Sequence, residues 1–206
     1  VKAAPQYANV QIRAALIKAT GGSNKYVRSA AASALTELVK AAPDEAVKNR
    51  EAFLKVIIET NWGNFNDASQ ALVKFVKIEP QVASAARAAL LKAAGDIDSD
   101  VRRAAASALG ELVKAAPQYA KDARDALLKA AGDTESWVRR AAASALGELV
   151  KAAPQYAKDA RAALLKAAGD TESWVRRAAA SALGELVKAA PQYAKDARAA
   201  LLKAAG

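Results

Sequence analysis

The chain has 206 residues, 53% of them apolar but only 5% aromatic, with no Cys, His or Met and a formal net charge of +10. Without Cys there is no disulfide, thiolate metal site or Cys nucleophile, and without His the commonest general base and metal ligand are missing. Most of the apolar fraction is alanine, which favours helices and lets them approach closely, so the composition predicts a thin, laminated core.

No stretch reads as a signal peptide or a membrane span, and a soluble chain is expected, cytoplasmic if it is made in a cell. The lack of Met implies that the start residue lies outside this chain or that the chain is excised from a longer array. The positive charge is diffuse: residues 1–57 carry +5, 58–94 carry +1, 95–131 carry none and the two stretches 132–168 and 169–205 carry +2 each. A solvated surface accounts for such a distribution better than a concentrated anion-binding patch does.

Prolines set the frame. Pro43, Pro80, Pro117, Pro154 and Pro191 recur every 37 residues, and Pro5 precedes Pro43 by 38. A fixed period of this size marks a solenoid. Val1 to Ala4 match the end of a second helix, so the chain is expected to begin in mid-repeat. Helices follow over roughly 5–20, 24–41, 43–59, 63–78, 80–94, 98–115, 117–131, 135–152, 154–168, 172–189 and 191–205. Linkers of two to four residues make consecutive helices antiparallel neighbours.

The first two units are irregular. Residues 51–80 replace the alanine-rich pattern with Phe53, Ile57, Ile58, Trp62, Phe65 and Phe75. From 95 onward the pattern is regular. In the first helix of a unit, Pro154 suits the opening turn and Tyr156, Ala160, Ala163, Leu164 and Ala167 recur at helical spacing, with Gly169 expected to close the helix in the left-handed conformation. In the second, the Asp-Thr-Glu-Ser run at 133–136 supplies capping oxygens, Val138, Ala142, Ala145, Leu146 and Leu149 form one stripe, and Glu135 is placed to pair with Arg139.

Residues 132–168 and 169–205 are identical, and 95–131 differs from them only at Ile97, Asp98, Asp100 and Asp125. Copies this close point to a designed or consensus-derived array, with recent duplication as the alternative.

Asp133, the Val138-Arg139 pair and the following Ala-Ala and Ala-Leu-Gly-x-Leu resemble the HEAT repeat. The match recurs at Asp96 with Arg102 and at Asp170 with Arg176. The resemblance implies a ladder of Asp and Arg between successive repeats and a Val-Arg helix lining a concave surface. It weakens early: Gly22 and Glu59 stand at Asp positions and Phe65 at an Arg position, so one rung should be missing there. The expected fold is all-α, a right-handed α-solenoid of 37-residue two-helix HEAT-like repeats, with about eleven antiparallel helices in a single domain. Its units are 5–41, 42–78, 79–115, 116–152 and 153–189, with a terminal half-repeat 190–206.

Opposite the apolar stripe, the second helix carries Arg140, Ser144, Gly147 and Lys151, repeated as Arg103, Ser107, Gly110 and Lys114 and as Arg177, Ser181, Gly184 and Lys188. A basic stripe of Arg103, Lys114, Arg140, Lys151, Arg177 and Lys188 is one candidate site, for an anion or a nucleic acid. The equivalent face of the first two units, with Ser29, Ser33, Thr36, Lys40, Trp62, Asn66, Gln70, Val73 and Lys77, mixes apolar and neutral polar groups and is the preferred candidate for a protein or peptide. Trp62 also reads as part of a helix cap. Trp137 and Trp174 fit either a partner anchor or packing over the neighbouring repeat.

No nucleophile–base pair emerges, and the acidic pairs fall in turns where capping explains them. Asp96, Asp98 and Asp100 imitate half of a calcium loop without its Gly and final Glu. The reading is therefore a non-catalytic scaffold or binding module with no cofactor and no metal. Its partner is a protein or peptide, nucleic acid being the less favoured alternative and a membrane none. The final helix repeats the internal ones without a polar cap, so either end-to-end self-association or excision from a longer array is expected.

Overall fold

A computed structural model of the chain describes residues 80–205, and before them the helical positions 15, 18, 19, 27, 30, 34, 69, 70, 72, 73, 76 and 77. The backbone divides into two compact units, Val1–Ala86 and Arg87–Gly206. In the first, Ser69, Leu72, Val73 and Val76 are buried on one helical stripe.

From residue 83 the helices are α1 (Ala83–Ala93), α2 (Ser99–Ala115), α3 (Ala120–Ala130), α4 (Ser136–Ala152), α5 (Ala157–Ala167), α6 (Ser173–Ala189) and α7 (Ala194–Ala205). Short helices (α1, α3, α5, α7) alternate with long ones (α2, α4, α6), so the described architecture is a solenoid of repeated helix pairs. No strand occurs among the described residues.

Proline starts each pair one turn earlier than a simple α-helix would. Pro117–Tyr119, Pro154–Tyr156 and Pro191–Tyr193 are 3-10 turns, and the α-helix proper begins three residues after the proline. A residue before proline is driven out of the helical region, and Ala116, Ala153 and Ala190 accordingly have φ near −143° (−144°, −142° and −143°). That single backbone break ends the long helix and starts the short one.

The short helices end differently from expectation. None of the described glycines has positive φ. Gly132 N–H instead donates to the Lys129 carbonyl at 3.0 Å and Asp133 N–H to that of Ala130 at 3.2 Å, a tightened last turn that satisfies the orphan carbonyls without a left-handed residue. Capping also moves. Glu135 occupies the N-cap of α4 without a side-chain cap bond, while the carboxylate of Asp133 accepts Glu135 N–H at 2.9 Å. Asp98 does cap α2, accepting Asp100 N–H at 2.8 Å.

The buried apolar residues among those described are Leu, Val and Ala alone, as a laminated core requires. The stripe of Val138, Ala142, Ala145, Leu146 and Leu149 is buried in α4. Each fully buried Leu contributes about 1.5–3 kcal/mol, an upper figure because the unfolded chain already hides some surface.

Successive long helices, α2 against α4 and α4 against α6, make the most extensive contacts in this unit. Glycine makes them possible. A Cβ on Gly110 would lie 2.9 Å from the Ala145 Cβ, and one on Gly147 would lie 3.0 Å from that of Ala182. Gly110 and Gly147 are therefore buried between repeats, not on the exposed face where a projection of one isolated helix puts them. At Gly184 the same Cβ would meet nothing within 4 Å.

Candidate binding face

The inter-helix turns carry the rungs. Arg102, held near the start of α2 by Val101 in the core, donates from Nε and Nη2 to the two carboxylate oxygens of Asp133 at 2.8 and 2.9 Å. Its Nη1 donates back to the carbonyls of Asp96 and Ile97 at 3.0 and 2.9 Å. Arg139 repeats the arrangement on Asp170 at 2.7 and 2.9 Å and on the carbonyls of Asp133 and Thr134. Arg176 donates to the carbonyls of Asp170 and Thr171. Each rung ties one repeat's long helix to the next repeat's turn. The expected gap at Phe65 lies outside the described residues.

The rung side chains are only 17% and 12% exposed for Arg102 and Asp133, and 17% and 11% for Arg139 and Asp170. The guanidinium hydrogen bonds hold the Asp133 and Asp170 carboxyls below the usual range, against an opposing effect of partial burial. Arg139 is thereby fully engaged. Its expected pair with Glu135 does not form, because Asp170 offers a bidentate acceptor with less water around it.

A second row on the short helices is absent from the sequence reading. Arg87 pairs with Asp122 at 2.6 Å, Arg124 with Asp159 at 2.8 Å and Arg161 with Asp196 at 2.5 Å. The same arginines lie over the rings of Tyr119, Tyr156 and Tyr193 at 5.2, 5.0 and 5.1 Å. An offset of 35 between Arg and Asp, constant through the repeats, was the available signal.

The long helices present the candidate face. Arg140, Ser144 and Lys151 on α4, and Arg177, Ser181 and Lys188 on α6, are exposed, as are Ser107 and Lys114 on α2, with Arg103 half-buried. The cations do not act as one stripe. Lys114 pairs with Glu111 at 2.6 Å and with Glu148 at 3.1 Å, Lys188 with Glu185 at 2.7 Å, and Arg103 with Asp100 at 3.3 Å. Partial burial opposes the charge on Lys114, but the hydrogen bonds it donates to Glu111 and Glu148 outweigh that effect and hold the ammonium above its ordinary value. Among the described residues Arg140 and Arg177 have no carboxylate partner.

Trp137 and Trp174 stack on each other, centroids 5.0 Å apart and planes 5° from parallel, with Arg140 lying 5.8 Å from the Trp137 centroid. Next to them a cleft of about 490 Å³ opens between α2 and α4, lined by Asp100, Arg103, Ser107, Trp137, Arg140, Ala141 and Ser144. Among the described residues no group of acids is placed to hold a metal ion.

For the candidate face of the first two units, Gln70 and Lys77 are exposed on a helix. Val73 is only 4% exposed and lies in the core, at the position that Gly110 occupies one period later, so it offers no surface. Ser29, Ser33, Thr36, Lys40, Trp62 and Asn66 lie outside the described residues.

Two family models match the chain: HEAT repeats over residues 88–157 and a HEAT repeat over 161–190. No curated relative matches. Among solved structures the chain is similar to an engineered protein, at 22% identity over 94% of this chain and 88% of that one with a TM-score of 0.65. It is also similar to a designed armadillo repeat protein in complex with the peptide (KR)4, at 16% identity over 92% and 97% with a TM-score of 0.54. A third likeness is to computationally designed armadillo repeat proteins for modular peptide recognition, at 17% identity over 92% and 98% with a TM-score of 0.57. At these identities the likeness concerns the fold. The turn Asp and Val-Arg pair that build the rungs lie within the matched segments, and residues 88–157 and 161–190 carry HEAT repeats.

Proposed function

We propose that the chain is a non-catalytic repeat scaffold, of designed or consensus-derived origin, that binds a protein or peptide segment along the exposed face of its long helices. The observation that carries this reading is the repeated display on α2, α4 and α6 of an Arg and a Ser, pinned by rungs behind it and by glycine contacts between helices. A rigid array of equivalent side chains suits an extended partner, whose own groups recur along its length. Two of the structural neighbours named above are described with peptides, which supports the class of partner. The letter-for-letter copies and the likeness to engineered proteins support the origin.

A continuous anion stripe is less well supported. Lys114, Lys188 and Arg103 are already neutralised, and Glu111, Glu148 and Glu185 stand among the cations. Single-strand stacking would also need a free aromatic face at each step, whereas Trp137 and Trp174 are stacked on each other.

Panning a displayed peptide library against the full chain tests the proposal. Peptides that enrich should lose binding when Arg140 and Arg177 are changed to Glu, with the melting temperature unchanged. A counterpart with Gln70→Ala asks whether the site lies on the first two units. If no peptide enriches, or if enriched peptides ignore all three positions, the proposal fails. End-to-end association belongs to the same reading, because Ala180, Gly184 and Val187 on α6 are partly uncovered where Ala143, Gly147 and Val150 on α4 are buried. Sedimentation that is independent of concentration would remove that part.

A further inference from the structure

The cleft beside Trp137 carries chemistry that neither the rungs nor the repeat stacking uses. One face of the Trp137 indole lies on Trp174, yet the residue remains 51% exposed. The period would place a third indole at position 100, where the chain has Asp. The shorter side chain leaves the space of about 490 Å³ open between α2 and α4, with Trp137 in one wall. Arg140 stands in that wall without a carboxylate partner among the described residues, while Arg103 across the cleft is held by Asp100. Ser107 and Ser144 add hydroxyls that can donate or accept.

We propose that this cleft seats one aromatic side chain of a bound peptide, its ring against Trp137, with an adjacent Asp or Glu of the peptide on Arg140. This deepens the peptide-binding reading and depends on it. In the free chain Arg140 lies over the Trp137 ring, 5.8 Å from its centroid, and drawing the guanidinium onto the peptide carboxylate uncovers the indole for a second ring in an offset stack; such anchors dominate interfaces when they fill a pocket. Arg140 supplies the planar fork that a carboxylate accepts in bidentate fashion. The next unpartnered fork is Arg177, one repeat further on. Packed helices are roughly 8–10 Å apart, and a peptide in the polyproline II conformation rises about 3.1 Å per residue with three residues per turn, so every third side chain returns to the same face. A second acidic residue therefore belongs three positions after the first, giving the pattern aromatic–acidic–x–x–acidic. The cleft has one aromatic wall, and the other face of Trp137 is already taken by Trp174, which favours a single anchor over a run of stacked bases.

The test uses the full chain, labelled with nitrogen-15, and the acetylated and amidated peptide Tyr-Asp-Gly-Ser-Asp, followed by the indole N–H signals in NMR. The Trp137 signal should shift saturably. Replacing the peptide's Tyr with Ala, or using Arg140→Gln protein, should weaken binding at least about tenfold. Asp100→Trp, which fills the slot with the residue the repeats use there, should abolish the Trp137 response while leaving helix content and melting temperature intact. An absent or unsaturable shift, or undiminished binding to Asp100→Trp protein, overturns the proposal. So does a thymidine oligonucleotide that saturates the same signal and displaces the peptide. Peptides enriched in the panning experiment separate the two readings. If they bind Asp100→Trp protein normally, the chain is a peptide binder and only the cleft assignment fails; if none enriches, the peptide-binding reading itself is lost.

Discussion

At the scale of single residues, equivalent positions in identical repeats have opposite requirements. Gly147 sits where a Cβ would press on Ala182 at 3.0 Å, and Gly184 sits where it would meet nothing. Gly147→Ala should cost about 1–3 kcal/mol, since overpacking a helix contact forces the helices apart. Gly184→Ala should gain about 0.5–1 kcal/mol from helix propensity alone. Denaturation midpoints in urea measure both, and equal signs would contradict the packing described. This is also where sequence reading falls short. A wheel projection sorts residues of one helix into two faces, whereas these glycines answer to a third surface, the neighbouring repeat. Val73 is misplaced by the same projection. Trp137 is an intermediate case: packing over the neighbouring repeat was legible from its recurrence at the period, but the stack on Trp174 itself was not.

Between elements, the two rows of ion pairs differ in kind. The rungs are bidentate and partly buried, while the Arg–Asp pairs of the short helices are more exposed and screened by water. Arg139→Ala should therefore destabilise by about 2 kcal/mol, leaving Asp170 without its donor, whereas Arg124→Ala should be close to neutral. The rungs also confer an acid sensitivity. The Asp133 and Asp170 carboxyls lie below their ordinary value in the folded state, so the unfolded chain takes up protons first. Their stabilisation is complete above the unfolded value of about 3.9 and is lost as pH falls through the lower folded values. Melting temperatures followed from pH 5 downward should drop less for Arg139→Ala than for the parent, because one linkage has been removed; parallel curves would refute it. The helices themselves were legible because proline and the 3.6-residue period act locally. The short-helix row was not, because its partners lie on different helices and its offset of 35 is hidden behind a period of 37.

Across the whole described stack, stability is distributed by neighbours. Each repeat's core is completed by the next one, so an uncovered repeat opens more readily than a covered one. On α6, Ala180 and Val187 are half-buried where Ala143 and Val150 on α4 are fully buried, and Leu202 on α7 is 67% exposed. Native-state hydrogen exchange should consequently show α7 and the end of α6 exchanging at lower opening energy than α4. Uniform protection from 136 to 205 would mean that some further contact covers that face. The repeated helix pairs of the described stack were legible from the copies. No partner was legible in them, because identical copies present identical surfaces.

The pair of parallel indoles at 5.0 Å spans two repeats. Each ring lies in the shielding region above the other's face, so the ring-proton signals of Trp137 and Trp174 should be displaced upfield by an amount that falls steeply with their separation. The chain thus contains its own gauge of repeat spacing. Tension, osmolyte or a ligand wedged beside Trp137 would register as a change in those signals before any helix unwinds.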